Sequence, residues 1–379
     1  MRVVVGYPHY PQWKTVAGYG GLRRRETVDG VEVVRVRHPV PRNSTGIGRI
    51  AMEAVFAAHA ATVRGRRPDV VLVASPSLLS VAAALTWRKS GRTAVGVIVQ
   101  DIYCRAVTET GDHGRAGAGA VARVERGLLA RADGVSVIHD RLGGVLTDIG
   151  VDPAKITVIR NWSHIAAPIH DRHTTRTEFG WRDDELIALH SGNMGEKQGL
   201  DNVIDAARLA DAAHLPVRFV LLGHGSRRPA LEAFGAGVQR LQFVDPQPAD
   251  AFPDVLAAAD VLLLNEKPRI AEMCVPSKLT SYFVTARPVV AAVNPVGGSA
   301  VEMRAAGAGI CVPAGRPQDL LDAVLRTGRD PAGAQQAGAR GQAYARNVLS
   351  EAAALDAYEA WVYRLQRGRR AACGRINNA

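Results

Sequence analysis

Short apolar runs recur along this chain, and each is followed by a longer segment in which apolar residues return every three or four positions. The opening Met1-Arg2-Val3-Val4-Val5-Gly6-Tyr7 reads as a strand, and residues 31–36 alternate apolar with polar as a half-buried strand does. Buried strands are expected at 68–74, 94–101, 134–139 and 156–159, and helices at 50–63, 78–90, 115–131 and 141–149. Between 164 and 176 the periodicity lapses into a stretch rich in histidine, arginine and threonine, and the domain linker is placed there. The alternation then restarts, with strands expected at 186–190, 218–222, 241–244, 261–264, 288–292 and 309–312. A last helix, 351–367, follows the final strand and is expected to cross back onto the first domain.

Strand–helix alternation of this kind implies parallel sheets covered on both faces. Two such series predict an α/β protein of two Rossmann-like, doubly wound domains, 1–163 and 177–350, facing a cleft. Ligands of such sheets lie beyond the carboxyl ends of the strands. Gln100-Asp101, His139-Asp140, Gly192-Asn193 and Gly223-His224-Gly225 all fall at or just past expected strand ends.

The strongest local signal is His190-Ser191-Gly192-Asn193-Met194-Gly195-Glu196-Lys197-Gln198-Gly199-Leu200, between an apolar strand and a helical run. Glycine lets backbone approach a ligand, and a helix start offers unpaired N–H groups that suit a phosphate. Lys197 would add a point charge, although an ordinary strand–helix turn with a solvated lysine fits the same residues. A second signal is Pro276-Ser277-Lys278-Leu279-Thr280-Ser281-Tyr282, which has the form of a helix start. A third is the turn Gly297-Gly298-Ser299. Gly223-His224-Gly225 begins a dinucleotide fingerprint, but Arg228 stands where its third glycine belongs, so the fingerprint is incomplete and the chain does not read as a dehydrogenase.

Composition narrows the classes. The 379 residues suffice for two cores, and the apolar fraction of 47% is that of a globular protein. No run approaches the roughly 20 apolar residues of a membrane span, and the opening run is too short for a signal-peptide core. Cys104, Cys274, Cys311 and Cys373 are scattered without a CxxC pair, which argues against a zinc site and a disulfide framework. His170 and His173 read as exposed linker residues, not ligands. The net charge of +11 gathers in clusters near both ends, such as Arg23-Arg24-Arg25 and Arg369-Arg370. No recognition motif for nucleic acid accompanies them. An anionic membrane surface or a phosphate-bearing substrate remains as their partner, beside plain solvation.

The ordered set Gly192-Asn193-x-Gly195-x-Lys197-Gln198-Gly199-Leu200, Leu221-Leu222-Gly223-x-Gly225, Ala259-Asp260-Val261, Pro276-Ser277-Lys278-Leu279 and Arg287-Pro288-Val289-Val290 resembles a retaining GT-B glycosyltransferase of the GT4 type. Tyr7-Pro8-His9-Tyr10-Pro11-Gln12-Trp13, Val99-Gln100-Asp101 and Arg160-Asn161-Trp162-Ser163 are similar to the branch that includes the colanic acid enzyme WcaI. The resemblance implies transfer of a sugar from a nucleotide, a UDP-sugar, to a hydroxyl of a glycan or lipid-linked acceptor in cell-envelope or exopolysaccharide assembly. It implies a cytoplasmic protein, peripheral at the inner membrane face, with no bound cofactor; no Asp-x-Asp metal triplet is present.

Residue by residue, it places Gly192, Asn193 and Lys197 at the donor diphosphate, with Ser277, Lys278 and Ser281 beside them. Gly223, Gly225 and Val244 would border the nucleobase. Asp101 and His139 would serve the sugar and acceptor, and Lys197 the leaving phosphate. Two departures stand out. The family's Glu-x7-Glu pattern falls on Met273 and Ser281, with Glu272 one position out of register. The Tyr-Pro-x-Tyr-Pro segment begins at Tyr7, so the N-terminal domain is expected to lack its first βα unit. A UDP-sugar 2-epimerase and a non-catalytic nucleotide-sugar binder are the alternative readings.

Overall fold

The alternation read from the sequence becomes two α/β units, and the break between them is at Ile159/Arg160 and again at Ala357/Tyr358. The computed structural model describes every residue except 10–12, 42–45, 64, 89–90, 103–114, 164, 167, 271–276 and 377–379. Tyr10, Pro11, Gln12, Cys104, Glu272, Met273, Cys274 and Pro276, all singled out above, lie outside the described residues.

The first unit runs β1 (Arg2–Gly6), β2 (Arg23–Val28), β3 (Val31–Val36), α1 (Gly46–Ala61), β4 (Val70–Ser75), α2 (Leu78–Arg88), β5 (Ala94–Val99), α3 (Arg115–Arg131), β6 (Gly134–Val137), α4 (Asp140–Asp148) and β7 (Ile156–Val158). Strands β4, β5, β6 and β7 form one parallel sheet in that order. Strand β3 lies between β1, to which it is parallel, and β2, to which it is antiparallel. Among the described residues no ladder joins β1 to β4. Val4 and Gly6 of β1 and Leu72, Val73 and Ala74 of β4 instead line a cavity of about 330 Å³.

The sequence reading missed β2, taking Arg23-Arg24-Arg25 as a basic cluster only. The strand forms because Asp29 and Gly30 both take positive φ, 48° and 76°, and close a two-residue hairpin onto β3. An Asp-Gly pair before an alternating run was the available signal. The arginines fit an edge strand, where charge on the open side discourages further pairing.

The second unit runs α5 (Arg172–Glu178), β8 (Leu186–Ser191), α6 (Asp201–Ala212), β9 (Val217–Leu222), α7 (Arg228–Phe234), β10 (Leu241–Val244), α8 (Phe252–Ala258), β11 (Val261–Asn265), α9 (Lys278–Val284), β12 (Val289–Val293), α10 (Gly298–Ala306), β13 (Gly309–Pro313), α11 (Pro317–Arg329) and α12 (Pro331–Val348). Its six strands are all parallel, ordered β10-β9-β8-β11-β12-β13. Alternate strand residues feed two cores. Leu189, Val220, Leu262 and Ala291 pack against Leu279, Phe283 and Met303 on one face, and Ala188, Phe219, Leu263 and Val290 against Val203, Ile204 and Val324 on the other. The chain moves outward from β8 in one direction and from β11 in the other, so the order reverses between these neighbours. Such a reversal opens a crevice at the strand ends.

The segment 164–176 is not a plain linker. It contains the start of α5, which the sequence reading did not expect. Asp171 caps this helix by accepting the Thr174 N–H at 3.0 Å. Arg172 and the buried Arg176 both pair with Asp260, just before β11. A seven-residue helix held by a cap and ion pairs carries no apolar stripe, so its periodicity is invisible.

The last helix, α13 (Glu351–Ile376), contributes residues from Tyr358 onward to the first unit. Trp361 and Leu365 lie on β5 and β6, where Gly96 and Gly134 have no side chain. A Cβ on either glycine would come within 2.8 Å or less of Leu365. Among the described residues, no helix is long and apolar enough to cross a membrane.

Candidate active site

The end of β8 borders the point where the strand order reverses, and ligands of such sheets bind at that crevice. The strand is apolar up to Leu189 and finishes with His190 and Ser191, both buried. Gly192 then turns with φ 108°, a conformation that disfavours a side chain. Beside this turn lies a cavity of about 510 Å³ lined by Asn161, Trp162, Ser191, Gly192, Phe252, Ser277, Lys278, Thr280 and Ser281. All of these residues belong to the second unit.

Three elements build the cavity. Helix α9 brings Lys278 and Ser281, and its Tyr282 anchors it to the sheet. The Tyr282 hydroxyl accepts the Ser191 N–H at 2.9 Å and donates toward the Leu263 carbonyl at 3.3 Å. Burial pushes that phenol up to about 12, so it stays a neutral strut. The segment 160–163 brings Asn161 and Trp162. It is fixed by Arg160, whose guanidinium donates to Glu302 of α10 at 3.0 Å. Helix α8 adds Phe252, and its Asp254 accepts the His170 N–H and faces the His170 ring at 2.8 Å.

Lys278 is the cationic centre. Its Nζ lies 2.8 Å from His190 Nε2, and among the described residues no carboxylate pairs with it. Its stem runs under Gly192, where a Cβ would come within 3.2 Å of Lys278 Cε. Burial pushes the ammonium down to about 7, against an upward pull from Glu266. Burial, and then the neighbouring Lys278, hold the His190 ring well below the ordinary imidazole range. A half-buried cation facing a cavity without a carboxylate suits an anionic ligand.

The structure thus gathers Gly192, Ser277, Lys278 and Ser281 and adds Asn161, Trp162, Ser191, Phe252 and Thr280. Asn161, Trp162 and Ser191 stood in motifs quoted above without a donor-site role. His190 and Tyr282 were not candidates, and their signal was weak: a polar residue at the end of a buried strand and an aromatic at helical spacing from Lys278.

Other expected residues lie elsewhere. Lys197 sits in a short 3-10 turn, Glu196–Gln198, outside the cavity lining. Helix α6 begins at Asp201, directly after this turn, where the helical run was expected. Asn265 pins this turn by donating to the Gln198 and Gly199 carbonyls at 2.7 and 2.9 Å. Asn193 is exposed at the adjoining turn. Gly223 and Gly225 face protein backbone. A Cβ on Gly223 would come 2.0 Å from the Gly192 carbonyl oxygen, and one on Gly225 2.5 Å from that of Met194. Val244 is buried, and its carbonyl accepts the Gly223 N–H at 3.0 Å. The Gly297-Gly298-Ser299 turn is engaged internally, since the buried Ser299 hydroxyl donates to Glu266 at 2.8 Å. In the first unit, Asp101 follows β5, half-buried, and His139 is a buried cap of α4 whose Nδ1 accepts the Arg141 N–H at 3.1 Å.

With this geometry in view, the comparisons with known proteins are decisive. Residues 1–162 match the family model described as a glycosyl transferase 4-like domain, and residues 185–330 the one described as glycosyl transferases group 1. WcaI of Escherichia coli (strain K12), by name a colanic acid biosynthesis glycosyl transferase, is 30% identical over 74% of this chain and 72% of its own length. The chain belongs to the GT4-type glycosyltransferase family. As a GT4-type protein it is a transferase, and the solved structures it resembles share its GT-B fold. A sucrose-phosphate synthase from Thermosynechococcus elongatus superposes with a TM-score of 0.70 at 18% identity, covering 92% of this chain and 86% of that one. An α,α-trehalose 6-phosphate synthase from Burkholderia multivorans gives 0.66 at 13% identity, over 100% and 98% of the two chains. HepE of Anabaena, solved in complex with UDP-glucose, gives 0.62 at 17% identity, over 91% and 85%.

Proposed function

We propose that this GT4-type enzyme transfers a sugar from a UDP-sugar to an acceptor hydroxyl, with retention at the anomeric carbon, in the assembly of an exopolysaccharide or another cell-envelope glycan. The observation that carries the reading is Lys278. It is a half-buried cation without a carboxylate partner among the described residues, facing the end of β8 and lining a cavity of about 510 Å³. HepE, which has a similar fold, was solved with UDP and with UDP-glucose, and WcaI is named for colanic acid biosynthesis.

In this reading Lys278, with Ser277 and Ser281, holds the donor diphosphate, and the ring of Trp162 flanks it. The bond from the anomeric carbon to the diphosphate oxygen breaks as a bond to the acceptor oxygen forms on the same face. The acceptor proton is released, and UDP leaves as an anion. Charge developing on the leaving oxygen is what a fixed cation stabilises. Lys197 and Asn193 would act from the adjoining turn, and Gly223, Gly225 and Val244 would border the base by shaping that turn. Asp101 and His139 are the acceptor-side candidates in the first unit. A lipid-linked acceptor would meet the protein at an anionic membrane surface, with Arg23, Arg24 and Arg25 of the edge strand β2 as the contact.

The test is thermal unfolding of the purified chain against UDP, GDP and ADP. Ligand at a hundred times its Kd stabilises a protein by about 2.7 kcal/mol. UDP is expected to raise Tm, and Lys278→Ala to abolish the rise. Lys197→Ala separates the two lysines: loss of binding there would give the diphosphate to Lys197. No shift with any nucleotide would overturn the reading. Replacing the three β2 arginines is expected to weaken binding to anionic vesicles and leave UDP binding unchanged.

A further inference from the structure

Lys278 meets a second base where a carboxylate would ordinarily sit. Its Nζ is 2.8 Å from Nε2 of His190, a fully buried ring at the end of β8. Two protonated groups at that separation, one of them a fully buried ring, repel strongly. The ring therefore serves as a neutral acceptor, and the pair holds at most one proton.

The surroundings supply little compensation. From the end of β11, Glu266 pulls the lysine toward its charged form, but its carboxylate is already engaged by the Ser299 hydroxyl of α10. From α9 itself comes Tyr282, a neutral phenol. No other charged group among the described residues acts on Lys278 or His190. Without a ligand, the lysine is stored near its point of half-protonation, with Nζ aimed by the ring.

We infer that His190 is a positioning residue for Lys278 and that the pair takes up a proton when a diphosphate binds. The inference rests on the proposed donor site and adds its regulation. An anionic ligand at Nζ supplies the negative charge that the protein withholds, so the bound state carries the ammonium in full. The proton comes from solvent, and none is exchanged with the sugar. Donor binding then weakens as pH rises, although above about pH 7 a phosphate's own second ionisation is nearly complete and contributes little.

Calorimetric titration of the full chain with UDP between about pH 6.5 and 9 tests this, run at each pH in two buffers of different ionisation enthalpy. The expected result is net proton uptake above about pH 7.5, with Kd rising by up to about tenfold per pH unit. Lys278→Arg, whose cation does not titrate, is expected to remove that slope. His190→Leu is expected to weaken UDP binding about tenfold near pH 7.5, because the acceptor that charges and aims Nζ is gone. His190→Gln, which keeps an acceptor, is expected to restore binding to within about threefold. Binding by the wild-type chain with a flat Kd and no proton uptake would overturn the inference and leave the donor site standing. Equal weakening by Leu and Gln, with both variants folded, would overturn the positioning role. No UDP binding at any pH would overturn the donor-site reading and the inference together.

Discussion

Each unit has a buried histidine at or just past a strand end, and the two rings meet different groups. His139 follows β6, is 3% exposed, and spends Nδ1 on the Arg141 N–H at the start of α4. His190 ends β8, is fully buried, and faces an ammonium. Residue type and topological position match, yet one ring completes a helix terminus and the other takes part in the electrostatics of a cavity. The place of a histidine near a strand end therefore does not tell which group meets its ring, and it is His190 that meets the cavity's lysine.

The sharpest way to break this contrast is to spoil the β8 end alone. Gly223→Ala puts a Cβ 2.0 Å from the Gly192 oxygen at a φ of 135°. It is expected to cost about 3 kcal/mol or more and to abolish UDP binding. Denaturant unfolding checks the first effect, and titration with UDP checks the second. An Ala variant of native stability would mean that the two turns do not pack as described.

A smaller effect has the opposite sign. In the unfolded chain Lys278 holds its proton to its ordinary value of 10.5, while in the folded protein burial lowers this to about 7. Between those values the unfolded state binds more protons, so stability rises with pH across that window and the lysine is unfavourable below it. Lys278→Met is expected to stabilise the nucleotide-free protein by about 1–3 kcal/mol at pH 7, with a gain that fades toward pH 10. The same substitution is expected to eliminate UDP binding. A variant less stable than wild type at pH 7 would show that the ammonium is better satisfied than the cavity indicates.

The smallest effect tests the other histidine. His139→Ala removes a cap and is expected to cost about 1 kcal/mol. UDP affinity should not change, whereas His190→Leu lowers it. If His139→Ala also weakened UDP binding, the two rings would not be separable in function.

Much of the fold was legible in the sequence. Each of the six strands of the second unit lies within a residue or so of its expected bounds, because a strand covered on both faces is a continuous apolar run. What was missed carries no such run. Strand β2 is an arginine-rich edge, and α5 is a short helix held by Asp171 and Asp260. At the site, Gly192, Ser277, Lys278 and Ser281 could be named because glycine turns and helix starts have local signatures. Asn161, Trp162 and Phe252 could not, since they reach the cavity through Arg160 on Glu302 and through Asp254 beneath His170.

The sequence alone determined the architecture and the family, since hydrophobic period and turn chemistry are local properties of the chain. Only the tertiary structure decided which lysine faces the cavity. Lys197 and Lys278 both follow glycine- or serine-bearing turns, and the stronger local signal, the one around Lys197, is not the one that lines the cavity. The reversal between β8 and β11 places α9 against the end of β8, and that approach seats Lys278 on a residue 88 positions away. Burial, and the charge a group can hold, depend on such long-range neighbours.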